Sequence, residues 1–141
     1  MNSADSLKSL HTTLIDAEKG YETAIRDADE PQMKATFEKM AALHARAHAD
    51  VHVILLAKGE KPDDAGSFLS LIHKTVISVR SAITGLDRAS LPSFADGEMR
   101  IVEIYDRARE EASLSGSETE TLGRNRQALL AAIADMRAKS A

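Results

Sequence analysis

An all-α fold is what this sequence predicts: four long helices in two antiparallel hairpins, with an additional helix in the long crossover that joins them. Composition is the first reason. Hydrophobic residues make up 43% of the chain but aromatic ones only 4%, with no tryptophan, and three prolines and seven glycines interrupt the helix formers. That is the make-up of helices rather than of a sheet. Periodicity is the second reason, because apolar residues recur every three and four positions through four long windows. The third is the shortness of the breaks near residues 29 and 115, which makes the helices on either side return antiparallel. At 141 residues the chain is the size of one domain, residues 1–141, and is long enough to bury a real core.

The first helix is expected from about Ala4 to Ala28, with Leu7, Leu10, Leu14, Ala17, Tyr21, Ala24 and Ala28 as its buried seam. His11, Glu18 and Ile25 lie one position round from that seam, on its flank. Asp29 is the expected cap of the second helix, and Pro31 fits a first turn because its missing N–H has no partner there. The second seam reads Met33, Phe37, Met40, His44, Ala47, Val51 and Ile54. Its helix should end near Lys58, with Gly59 left-handed just beyond.

A polar loop over 59–67 leads to a third helix over 67–85, carrying Leu69, Ile72, Val76, Val79 and Ile83. Its β-branched residues disfavour helix, but the 3-4 spacing runs too long for a strand. After a bent lead-in from Asp87 to Pro92, a fourth helix should run to about Leu114 with Leu91, Phe94, Glu98, Ile101, Tyr105, Ala108 and Ala112 inside. Ser115-Gly116 breaks it. Ser117 and Glu120 then have the spacing of a capping box. The last helix turns Leu122, Leu129, Ile133 and Met136 inward and should fray after Arg137.

Several function classes are disfavoured. A formal charge of −4 offers no basic footprint for nucleic acid, and no Lys/Arg run suggests an acidic membrane surface. The absence of cysteine removes disulfides, thiolate metal sites and a cysteine nucleophile. No glycine-rich phosphate loop, nucleophile elbow or His-Glu-x-x-His is present. The polar start Met1-Asn2-Ser3-Ala4-Asp5 is unlike a secretory signal, and no apolar run is long enough to span a bilayer. A cytoplasmic protein without membrane or nucleic-acid partners is the expectation.

Two seams carry a polar interruption, His44 in one and Glu98 in the other. Positions equidistant from a tight turn face each other in an antiparallel hairpin. His44 then falls opposite Ile15, Glu18 opposite Ala41, and Glu98 opposite Ile133, all near mid-bundle. Glu18, His44 and Glu98 are thus expected in one central layer, with His48 and Tyr105 a turn or two away. Arrangements of this kind hold metal ions in some helical bundles.

Particular motifs also resemble those of a known family. They are Pro62-Asp63-Asp64-Ala65-Gly66-Ser67 followed six residues later by His73, the run Asp16-Ala17-Glu18-Lys19-Gly20-Tyr21, and Gly97-Glu98 leading towards Tyr105. On these the chain is similar, over nearly its whole length, to an uncharacterised bacterial family of ferritin-like four-helix-bundle proteins. The resemblance implies the fold and no established activity.

A complete di-iron centre needs a Glu from each of two helices and a Glu-x-x-His from each of the other two. Here His44 stands, but Ala41 occupies the position of its Glu partner, and the last helix offers neither ligand. The expectation is therefore a non-catalytic ferritin-like bundle with a degenerate di-metal site and no cofactor, acting through self-association or partner binding. The alternative is a mononuclear iron or manganese storage or redox protein with Glu18, His44 and Glu98 as ligands and His48 peripheral. A small-ligand cavity at mid-bundle is a third reading.

Structural roles are expected for the individual residues: His44 hydrogen-bonded to Glu18, Glu98 or water, and Glu98 paired with His44, Arg126 or water. Tyr21 and Tyr105 should pack inside with their hydroxyls on a carboxylate. His52 should lie on the surface, and His73 should brace the crossover helix. Leu71 and Ile77, outside the seam of that helix, suggest a homodimer.

Overall fold

The computed structural model describes residues 4–62 and 88–140. Four α-helices account for nearly all of them: α1 (Asp5–Asp27), α2 (Pro31–Ala57), α3 (Leu91–Glu111) and α4 (Gly116–Lys139). A short 3-10 turn, Arg88–Ser90, leads into α3. No strand occurs among the described residues, and none of their helices is long and apolar enough to cross a membrane. The expected crossover helix, with Leu71, His73 and Ile77, lies outside the described residues.

Each helix ends for a local reason. Pro31 opens α2 with its fixed φ and absent N–H in a first turn. Gly59 closes it at φ 77°, a left-handed position that costs other residues far more than glycine. The cap of α2 is Glu30 rather than Asp29, and its side chain makes no capping hydrogen bond. α3 stops at Glu111, three residues before the expected Leu114.

The capping box of α4 is also displaced. Ser115 Oγ accepts from the backbone N–H of Glu118 at 3.2 Å, and the Glu118 carboxylate accepts from the Ser115 N–H at 2.9 Å. The pairs 115/118 and 117/120 share one spacing, so sequence alone does not choose between them. Lys58, at the end of α2, favours the first: its ammonium lies 3.6 Å from Glu118 and donates to the Ser113 carbonyl. Replacing Ser115 by Ala should therefore cost about 1 kcal/mol in urea unfolding. Ser117→Ala should stay within about 0.5 kcal/mol of wild type.

Among the described residues the predicted seams form the core, with Ala28 and Ala112 only partly buried at its edge. Leu7, Leu10, Leu14, Ala17, Tyr21 and Ala24 of α1 join Met33, Phe37, Met40, Ala47, Val51 and Ile54 of α2 in one cluster with the seams of α3 and α4. α1 packs on α2 and α3, and α4 packs on α3 and α2.

Polar contacts fix the directions. Lys58 reaches Ser113, Asn125 Nδ2 donates to Asp50 Oδ2 at 3.2 Å, and Lys139 Nζ donates to Thr36 Oγ1 at 3.4 Å. The C-terminal ends of α2 and α3 therefore share one end of the bundle, while α4 runs against both. Pro62 and Arg88 stand at opposite ends.

Candidate functional site

Helical phase alone carries three polar side chains inside. Tyr21, His44 and Glu98 each occupy a seam position of α1, α2 and α3, so the rotation that buries their aliphatic neighbours buries them too. All three are fully buried. His44 and Glu98 come from helices on opposite corners of the bundle and meet on its axis.

Their geometry is a set of hydrogen bonds converging on Glu98, while His44 Nδ1 has no hydrogen-bond partner among the described residues. His44 Nε2 lies 2.9 Å from Glu98 Oε1 and 3.0 Å from Oε2, so its N–H is shared between the two oxygens. The Tyr21 hydroxyl donates to Glu98 Oε1 at 2.9 Å. Both oxygens of Glu98 are thus engaged from within the protein. The Tyr21 ring stacks on the imidazole, centroids 5.9 Å apart and planes 14° from parallel. On its other sides Tyr21 packs against Phe37 and Phe94 at 5.8 and 5.7 Å, and these two rings meet at 4.9 Å. The aromatic group excludes water from these hydrogen bonds, which strengthens them and raises the cost of losing either partner.

Both tyrosines are held protonated. Burial pushes the Tyr21 phenol well above its ordinary range, and the charge and acceptor of Glu98 add to this. Tyr105 is raised in the same direction, chiefly by burial and then by Glu98 and Asp50. Its hydroxyl has no hydrogen-bond partner among the described residues, contrary to the expected carboxylate contact. Tyr105 and Glu98 sit two turns apart on one helix, about 10 Å along its axis. Tyr21 reaches Glu98 because it comes from the neighbouring helix.

Of the three candidate ligands, the structure brings His44 and Glu98 together and leaves Glu18 apart. Glu18 Oε1 lies 3.7 Å from His48 Nδ1, too long for a hydrogen bond, with both side chains partly exposed. The height expected for Glu18 is reasonable. Its azimuth is not, since one residue past Ala17 turns the side chain about 100° away from the axis. Arg126 pairs with Asp106 at 2.7 Å rather than with Glu98.

A second cluster lies in the groove between α1 and α2. His11, expected on a flank, is only 1% exposed. Its ring centroid is 5.5 Å from that of His48 and 5.4 Å from that of His52. His52 is accordingly half-buried against another imidazole rather than a surface residue. Turn arithmetic holds the clue, because His11 and His48 are equidistant from the α1–α2 turn.

The bundle axis does not fit a dinuclear metal centre. The described residues place one carboxylate and one imidazole there, and the buried side chains of α4 are Leu122, Leu129, Ala132, Ile133 and Met136. A two-metal centre of this type needs four carboxylates and two imidazoles.

Residues 2–111 match the family described as Domain of unknown function (DUF2383), and the chain belongs to that family. The matched span contains Tyr21, His44 and Glu98 and ends with α3. No curated protein matches the chain.

Proposed function

For this DUF2383 member we propose a non-catalytic, ferritin-like bundle that works through its helix surfaces, by self-association or by binding a protein partner. Two antiparallel hairpins with α2 and α3 running in the same direction support the ferritin-like reading, since that layout needs one long crossover. The observation that carries the non-catalytic reading is the engagement of both Glu98 oxygens by Tyr21 and His44. A carboxylate satisfied by its own protein is a structural element with a lost metal layer behind it. The iron- or manganese-binding alternative would require Glu18 to leave His48 and turn inward.

The surface supplies a place for contact. Val53 and Leu56, on consecutive turns near the end of α2, are exposed by 64% and 54% and are the large hydrophobic residues left in solvent among those described. Light scattering behind size-exclusion should give twice the chain mass for wild type and a single chain mass for Val53→Glu/Leu56→Glu. A wild-type monomer across micromolar to millimolar concentration would remove self-association and leave a foreign partner as the role of that face.

A further inference from the structure

We propose that His11, His48 and His52 form an inducible site for a zinc-class dication in the groove between α1 and α2, independent of the Glu98 layer. The spacing of the rings is the argument. A tetrahedral ion holding two imidazoles at about 2.0–2.1 Å per Zn–N bond sets their ring centres roughly 5.2 Å apart. His11 lies 5.5 Å from His48 and 5.4 Å from His52. The helices thus already hold His11 within a few tenths of an ångström of that separation from each of the other two imidazoles.

As the side chains stand, no three His, Asp or Glu groups among the described residues converge as a metal site. The His11 ring meets His48 at 76° and His52 at 47°. Taking up an ion therefore requires the rings to turn until their nitrogens converge. His48 and His52, four residues apart, project from the same face of α2. Both are partly exposed, so solvent ions reach them, while His11 is buried beneath.

Glu18 supplies the outer support. Its carboxylate stands 3.7 Å from His48 Nδ1, and closing that gap would fix the tautomer that presents Nε2 to the ion, as carboxylates do behind many metal-bound histidines. Imidazole ligands without thiolate favour zinc, copper or nickel over magnesium, calcium or manganese. Water would complete the coordination.

The test is calorimetric titration of the full chain with zinc chloride at neutral pH, alongside thermal melts. Wild type should take up one zinc per chain and melt higher with it. His52→Ala and His48→Ala should weaken uptake at least tenfold and lose the shift, and Glu18→Gln should weaken it by about 10–100-fold. Glu98→Gln should bind as wild type does, which separates this site from the central layer. The two surface-side histidine variants keep the test valid if His11→Ala fails to fold. Absence of saturable uptake, uptake unchanged in His52→Ala, or uptake lost in Glu98→Gln would each overturn the proposal.

Discussion

Glu98→Ala is expected to lower the free energy of unfolding by about 3–5 kcal/mol, because a fully buried side chain and the hydrogen bonds converging on it are lost together. The loss has three parts. His44 Nε2–H loses both acceptor oxygens, the Tyr21 hydroxyl loses the carboxylate that accepts from it, and a void opens on the bundle axis. Tyr21→Phe removes one donor and leaves the carboxylate with His44, so it should cost only about 1–1.5 kcal/mol. Replacing the pair together, as His44→Leu/Glu98→Leu, should recover most of the loss, because well-packed hydrocarbon often matches or exceeds a buried ion pair. Urea unfolding at neutral pH measures all three. A Glu98→Ala cost below about 1 kcal/mol would mean that the pair contributes no more than an exposed contact.

The second large effect is alkaline. Tyr21 and Tyr105 are the only tyrosines in the chain and there is no tryptophan, so the near-ultraviolet tyrosinate band reports on these two sites alone. Both have folded-state values raised above the ordinary one. Groups raised in this way contribute stability that is fully present below the unfolded value, near pH 10, and is lost as pH rises through the folded value. Between those limits the unfolded chain releases protons that the folded chain retains. Stability should fall by about 1.4 kcal/mol per pH unit for each tyrosine, or about 2.7 for both. Tyrosinate should therefore stay absent while the helices persist above pH 10, then appear for both residues in one step with loss of the helical circular dichroism. Gradual ionisation near pH 10 with an intact helical signal would show that the two phenols are not enclosed as described.

Helical phase is the part of this protein most open to reading from sequence. Each residue in a 3.6-period helix has a defined azimuth, and so the buried residues from Leu7 to Ala24, Met33 to Ile54 and Leu91 to Ala108 follow from spacing alone. His44 and Glu98 were legible as interior residues for the same reason, and a buried carboxylate needs a donor, but the choice of His44 over Arg126 or water came only with the structure. Two kinds of feature were not legible. Local ambiguities, such as Ser115/Glu118 against Ser117/Glu120, are resolved by a distant residue, Lys58. Flank positions are the other kind: His11 lies beside the seam of α1 and His52 is expected on the surface of α2, yet both face the groove once α1 and α2 lie side by side. Glu18 misleads in the opposite direction, because its height along the bundle is right and its rotation is not.

We propose that Glu98 is satisfied by Tyr21 and His44 and holds no iron or manganese. Elemental analysis of protein purified without chelators tests it most directly, with Glu98→Gln prepared in parallel to keep the fold. The prediction is iron and manganese far below one atom per chain in both proteins, with any zinc unaffected by the Glu98 substitution. Iron or manganese approaching one atom per chain in wild type and absent from Glu98→Gln would contradict it.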